Sequence, residues 1–491
     1  MAHGTGARSA FMTGTFTDEL KRLNAARDRD APIYLQLYNH FREAIADGRL
    51  GAGDRVPSVR TLASELSLAR GTVEMAFQVL VSEGYLVTRG AAGTVVSPRL
   101  GSHSEPARHA APAPPNGTAA VPSMSETGAA LFQLGLPALD AFPRKTWARL
   151  CGRHQRTLHT SAMTYPDPAG HEPLRRAVAT YLGISRGISC SHEQVFITTG
   201  YRGALDLIRH TLLNPGDVGW YEDPGYLLAR IFLERAGLRL HPVSVDDEGL
   251  CVSEGKQHAR NARFAVVTPT HQSPMGMALS LPRRLELLDW ASSRKAWIIE
   301  DDYDSEFRYH GRPLPALKSL DHDDRVLYTG TFSKVLVPGL RLAYLVVPAS
   351  LVGTFRDEVA HLPGPGSLVP QAMIADFMGQ GLFARHLRKM RPLYAARRGY
   401  VVDALNDVLG DRLFVQPQAG GIHILAHLKA RRNDRALASA ARANGLAIHA
   451  LSDWRLRKAS HGGLLLGFAN FTSEADATAA VKRLDATWRG G

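Results

Sequence analysis

The sequence predicts two folding units of different class: a small unit of three helices closed by a β-hairpin, and a large α/β unit with a mostly parallel sheet. Three observations lead there. A chain of 491 residues is too long for one ordinary core. Residues 99–129 are rich in Pro, Ala, Ser and His, with Ala-Pro-Ala-Pro-Pro at 111–115. Such a stretch buries too little apolar surface to order itself and reads as a linker. Before it, apolar residues recur at helical spacing; after it, strand-length apolar runs alternate with amphipathic helical stretches. The chain thus divides into a polar extension (1–30), the small unit (31–98), the linker (99–129) and the large unit (130–491).

In the small unit, Pro32 suits a helix start, and Ile33, Leu37, Phe41 and Ile45 follow at helical spacing. Gly48 and the turn at 51–53 end that helix. Ser58 is an N-cap for the second helix, whose Leu62, Ala63 and Leu66 face inward. Ser67-Leu68 forms a tight turn into a third helix, where Val73, Ala76, Phe77 and Leu80 make the inner stripe. Arg70, Gly71 and Thr72 are left at its exposed start, the part of a recognition helix that meets base edges and phosphates. Leu86–Thr88 and Thr94–Val96 pair across Arg89–Gly93, a wing tipped by one arginine. Bulk charge does not decide the matter. Residues 31–98 hold six basic and six acidic side chains, and the whole chain's net charge of +12 supports only non-specific attraction. A protein-interaction module could share this outline, but Arg60, Arg70 and Arg89 in register favour duplex DNA. Val56-Pro-Ser-Val-Arg60-Thr-Leu-Ala and Leu68-Ala-Arg-Gly-Thr-Val73 resemble the GntR-type winged helix-turn-helix. By that resemblance Ser58, Arg60, Arg70, Thr72 and Arg89 stand at DNA-binding positions.

The large unit carries several chemical motifs. In Tyr328-Thr-Gly-Thr-Phe-Ser-Lys334-Val-Leu-Val-Pro-Gly-Leu-Arg341, a lysine follows a buried strand among hydroxyl residues, with an arginine seven positions on. The amine suits a Schiff base, and Thr331, Ser333 and Arg341 suit a phosphate. Upstream, Ala296-Trp-Ile-Ile-Glu-Asp301-Asp-Tyr303 is a strand ending in carboxylates, one of which can pair with a protonated pyridine nitrogen. No histidine or further carboxylate cluster lies near it in sequence, so no metal site is expected. Val195–Gly203 reads as strand, glycine turn and helix, an anion site at Gly200, Tyr201 and Arg202. Tyr226 follows a turn and can stack on a flat ring; Tyr165 sits in a further turn.

In this order the motifs resemble fold type I aminotransferases over roughly the last 360 residues. With the GntR-like head, the whole chain resembles the MocR family of chimeric regulators. The resemblance implies a pyridoxal 5'-phosphate cofactor with Lys334 as its Schiff-base lysine and Asp301 at the pyridine nitrogen. Tyr303 would meet the phenolic oxygen and Tyr226 the ring face. Gly200, Tyr201, Arg202, Thr331, Ser333 and Arg341 would hold the phosphate. Tyr165 would serve the neighbouring subunit of a head-to-tail homodimer.

Two positions depart from the enzymes and a third from a regulator. Ser273 stands where many aminotransferases have an asparagine on the phenolic oxygen, which leaves that contact open, with His271 nearby. Leu465 stands where an arginine usually takes the substrate carboxylate, a charge-assisted contact of about 1.5–3 kcal/mol. Leu228 stands where a relative responsive to γ-aminobutyrate has an arginine. The expectation is a regulator controlled by pyridoxal phosphate or by an amine or amino-acid effector, with an active aminotransferase as the alternative. The three scattered cysteines, Cys151, Cys190 and Cys251, suit a reducing interior. With neither a signal-like apolar run nor a membrane span, a cytoplasmic location is expected.

Overall fold

The computed structural model describes residues 31–90, 93–98, 130–157, 164–309, 311, 314–458 and 461–489. The expected extension 1–30 and linker 99–129 lie outside the described residues. Two compact units divide between Pro122 and Ser123.

The small unit contains α1 (Ile33–Ala46), β1 (Arg55–Val56), α2 (Val59–Leu66), α3 (Arg70–Ser82), β2 (Leu86–Thr88) and β3 (Thr94–Val96). Its core joins Leu37, Phe41, Leu62, Leu66, Val73, Phe77 and Leu80, with Phe41 and Phe77 edge to face at 5.5 Å. Ile33 and Ile45 are only half-buried; Tyr38 and Ala44 take the inward places beside Leu37 and Phe41. Tyr38 can sit there because its hydroxyl donates to Glu83 at 2.5 Å. Ser67 closes α2 in the left-handed backbone region, φ 52°. β2 and β3 pair antiparallel, Val87 opposite Val95, and β1 adds a third strand on the other side of β3.

In the large unit, α4 (Arg144–Arg156) and α5 (Glu172–Arg186) precede the main sheet. Its strands are β4 (Val195–Thr198), β5 (Val218–Asp223), β6 (Arg239–Asp246), β7 (Gly249–Leu250), β8 (Phe264–Val267), β9 (Trp297–Asp302), β10 (Val326–Thr331) and β11 (Ala343–Val346). They lie in the order β4-β11-β10-β9-β8-β5-β6-β7. β10, β9, β8, β5 and β6 are parallel; β11 runs against both β10 and β4. Because β4 and β10 share a direction, Gly200, Asp223, Asp301 and Thr331 all come to one edge, the carboxyl ends where α/β sheets take ligands. The sequence pattern suggested α/β alternation to the end of the chain. The last quarter instead forms an antiparallel sheet of β12 (Leu413–Val415), β13 (His423–Leu428), β14 (His449–Ala450) and β15 (Gly463–Gly467), ordered β12-β13-β15-β14. A short apolar run shows that a strand forms but not its direction. Among the described residues no helix is long and apolar enough to cross a membrane.

One buried ion pair ties α5 to the sheet edge. Arg186 Nε lies 3.0 Å from Asp302, both almost fully buried, and Arg186 also reaches Glu306 at 3.7 Å. Breaking such a group by removing the cation leaves buried charge uncompensated. Arg186→Met is expected to destabilise the large unit by about 3–5 kcal/mol in a denaturant titration. Wild-type stability in this variant would show that the pair does not hold the edge.

Candidate functional site at the carboxyl edge of the main sheet

The chain from Glu300 to Glu306 buries five carboxylates: Glu300, Asp301, Asp302, Asp304 and Glu306. Four are answered. Glu300 accepts from the Leu317 and Lys318 backbone N–H groups, both at 2.8 Å. Burial, followed by the Asp302 charge, still pushes it up to about 7. Asp302 accepts from the Tyr328 hydroxyl at 2.6 Å and faces Arg186. Asp304 meets His271 Nδ1 at 3.0 Å and accepts from the Ile422 N–H at 3.3 Å. Glu306 accepts from Tyr181 at 3.0 Å. Asp301, on the opposite face of β9 from its two neighbours, lies near Tyr201, Tyr226 and Lys334 and makes no good side-chain hydrogen bond or ion pair among the described residues. Burial, then the Asp302 charge, raises its carboxyl well above the usual range. The Tyr201 hydroxyl lowers it somewhat but is placed too poorly to form a good hydrogen bond, and stays buried without a partner.

Lys334 follows β10 and comes to the same place. Its Nζ donates to the Gly135 carbonyl at 3.1 Å. Burial lowers its amine below the ordinary lysine value, while the charges of Asp304 and Asp301 act the other way. Gly135 has φ +74°, and a Cβ there would collide with the lysine amine.

The opposite rim is built on a helix start. Gly200, with φ 76°, turns the chain from β4 into the helix Tyr201–Leu212, whose first N–H groups have no partners within the helix. A Cβ on Gly200 would lie 3.7 Å from the Arg341 guanidinium, so that exposed cation stands over the turn. Arg202 is exposed at the same helix start. Thr331 ends β10 and its Oγ1 accepts from the Ser333 N–H at 3.1 Å. The Tyr226 ring lies 6.3 Å from Tyr201 and 5.6 Å from Trp454. Burial, then Asp301, pushes its hydroxyl up to about 12, with Arg202 and Arg341 opposing. Tyr303 meets His271 Nδ1 at 3.0 Å and faces the Ser273 hydroxyl. Among the described residues no cluster of three or more His, Cys, Asp or Glu could hold a metal ion. Tyr165 takes no part; it is fully exposed.

In the small unit, Arg60, Arg70 and Arg89 are exposed, and Thr72 is half-buried in the first turn of α3. Ser58 caps α2, accepting from the Thr61 N–H at 3.1 Å. Arg89 N–H closes the wing onto the Gly93 carbonyl at 2.8 Å; wing residues 91 and 92 lie outside the described residues.

Residues 33–96 match the model for bacterial regulatory proteins of the gntR family, and residues 141–475 match aminotransferase class I and II. The "Probable rhizopine catabolism regulatory protein MocR" of Rhizobium meliloti is 37% identical, covering 90% of this chain and 91% of its own length. The chain belongs to the MocR family of GntR-type transcription regulators. Another relative of this MocR-family chain is the "HTH-type pyridoxine biosynthesis transcriptional regulator PdxR" of Corynebacterium glutamicum, 32% identical over 89% of this chain and 92% of that one. The large unit is also similar to a solved kynurenine aminotransferase of Pyrococcus horikoshii, with TM-score 0.67 and 26% identity over 75% of this chain and 92% of that one. The protein is a DNA-binding transcription regulator with an aminotransferase-like unit.

Several residues of the MocR-type site escape a reading of the sequence alone. Gly135 is 199 positions from its lysine partner, and no local pattern marks it. Asp304 follows a run of acids, yet its pairing with His271 depends on the loop after β8. That loop is held by Glu222, which accepts from the Thr268 N–H at 3.1 Å and from Gln272 at 3.0 Å. Trp454 reaches Tyr226 because Asp223 accepts from the Leu456 and Arg457 N–H groups. In the head, the Arg55 guanidinium packs by Gly93 and adds a cation beside the wing. Leu465, the position that the resemblance compares with a carboxylate-binding arginine, is fully buried in an apolar cluster with Leu134, Leu425 and Leu451. Tyr201→Phe removes a buried hydroxyl that has no partner, and an unmet donor costs about 1–3 kcal/mol. Without added ligand, the variant is therefore expected to unfold at the same or a higher temperature than wild type. A clear loss of stability would show that the hydroxyl is already bonded.

Proposed function

We propose that this regulator binds pyridoxal 5'-phosphate between Lys334 and Asp301, and that occupancy of the pocket sets how its heads engage operator DNA. The observation that carries the reading is the pairing of a desolvated amine with the one carboxyl of the 300–306 stretch that lacks a good partner. The residues present fit the cofactor. Lys334 supplies a nucleophilic amine to its aldehyde, and Asp301 holds the proton on its ring nitrogen. Tyr226 would meet the ring face, and Tyr303, which contacts His271 Nδ1 at 3.0 Å, would serve the phenolic oxygen. Gly200, Tyr201 and Arg202, through the helix start, and Thr331, Ser333 and Arg341 hold the phosphate. Tyr165, exposed in one subunit, would serve its neighbour in a head-to-tail homodimer. When bound, the cofactor supplies an electrophilic carbon and an electron-withdrawing ring.

The same reading makes the large unit a sensor and a poor enzyme. The apolar cluster around Leu465 offers no charge to a substrate carboxylate. The effector is then the cofactor itself or an amine that competes for it, acting through unequal affinity for two states. Similarity to the Corynebacterium relative, a pyridoxine biosynthesis transcriptional regulator, supports a role in vitamin B6 control. The DNA reading rests on the exposed Arg60, Arg70 and Arg89, with Thr72 and the Ser58 cap beside them.

Two experiments follow. Borohydride reduction of wild-type protein incubated with pyridoxal phosphate should fix the cofactor's mass on the peptide containing Lys334, and Lys334→Ala should take up none; equal labelling of both would end the cofactor reading. Because burial depresses the amine, its neutral, reactive fraction grows as pH passes a value below the ordinary lysine 10.5. Labelling should accordingly reach half-maximum at lower pH than with a free lysine side chain. Separately, Arg70→Ala should weaken operator binding by about 1–3 kcal/mol in a gel shift. An unchanged shift would remove Arg70 from the DNA contact.

A further inference from the structure

The excess positive charge of this DNA-binding protein is not on its DNA-binding head. Residues 31–98 are formally neutral, whereas residues 130–491 hold 45 Lys and Arg against 34 Asp and Glu. Part of that excess is concentrated. The helix α4 has no acidic residue, and neither have the first three quarters of the long helix Leu382–Leu409, up to Val402. The two helices flank one another across the intervening helix Leu368–Gly379, whose Phe377 packs against Trp147 of α4 at 6.0 Å and against His386 of the long helix at 6.2 Å. Lys145, Arg149 and Arg156 on α4, and Arg385, Arg388 and Lys389 on the long helix, are all exposed. None of these six pairs with a carboxylate among the described residues. The helix Leu368–Gly379 contributes one acid, Asp376, and Arg153 and His154 already occupy it.

A bland explanation covers only part of this. Cations in the last turn of a helix complement its dipole, which accounts for Arg153 and Arg156. Lys145 lies in the first turn of α4, where the dipole disfavours positive charge, and Arg385, Arg388 and Lys389 lie in the N-terminal third of their helix, far from the end whose dipole would favour them. Cations held against the dipole and away from any carboxylate suit a polyanion with closely spaced charges. The head already brings one to this chain, and duplex DNA carries one phosphate charge per about 1.7 Å of axis.

We propose that this basic face is a second, sequence-independent DNA surface, taking the phosphate backbone of duplex beyond the part read by the heads. It is separate from the cofactor pocket and does not rest on that reading. The test uses the full chain and a mixed-sequence duplex several helical turns long, with binding measured across a range of salt. Joint substitution of Arg149, Arg156, Arg385, Arg388 and Lys389 by Gln should reduce the slope of log K against log salt by about 0.9 for each phosphate that is no longer neutralised. The head variant Arg60→Ala with Arg70→Ala should retain a salt-dependent residual affinity that the five substitutions remove. The single reversals Arg149→Glu and Arg388→Glu give the same readout should the fivefold variant fail to fold. An unchanged salt slope, or complete loss of binding in the head variant alone, would overturn the proposal. Intact DNA binding with loss of binding to polyglutamate would also overturn it, assigning the face to an acidic protein.

Discussion

Burying a carboxylate is costly unless a cation or hydrogen-bond donors replace the water it loses, and β9 with its exit buries five within seven residues. Much of the large unit is arranged around that constraint. α5 delivers Arg186 to Asp302 and Glu306, β10 delivers Tyr328 to Asp302, and the loop after β8 delivers His271 to Asp304. The Leu317 and Lys318 backbone answers Glu300. These contacts come from segments far apart in the chain, so the topology of the sheet is a precondition for tolerating the acids. Asp301 is the exception, and it is the one that faces the side of Lys334 and Tyr226.

Strand alternation explains why the exception falls there. Glu300 and Asp302 project to one face of β9, where the fold supplies partners; Asp301 projects to the other, at the carboxyl edge. Parallel strands leave that edge open, and the β4 turn at Gly200 brings a helix start to it. One end of the resulting edge holds the buried Asp301 carboxyl, and the other a helix start with the exposed Arg202 and Arg341. Charge separation of that kind orients a ligand before any covalent bond forms.

The local pieces are legible in the sequence, and their tertiary partners are obscure. The head can be read nearly to the residue, because Ser58, the Val73–Leu80 stripe and the 86–96 hairpin are short-range patterns. What escapes is β1, two residues long and paired across the unit, and the inward turn of Tyr38 and Ala44. In the large unit, Lys334 and Asp301 stand out because each follows an apolar strand that exposes its end. Reading Tyr201 as an anion-site residue identifies its backbone position but not that its side chain turns toward Asp301. Gly135, Asp304 and Trp454 cannot be found without the fold, since each matters through a partner more than 30 residues away. The antiparallel character of β12–β15 is hidden for a similar reason: pairing direction is set by connections, not by the strands themselves.

The protein's own groups therefore leave the pocket electrostatically unsatisfied. It holds a carboxyl raised by burial, an amine lowered by burial and a tyrosine hydroxyl without a partner. A ligand that satisfies all three stabilises the state it binds by an amount that grows with its concentration over its dissociation constant. The same difference bounds the regulatory effect, because a ligand shifts an equilibrium only by its unequal affinity for the two states. Leu465 fits this logic. With leucine packing against Leu134, Leu425 and Leu451, position 465 presents no charge, and a carboxylate on an incoming amine would gain nothing from it.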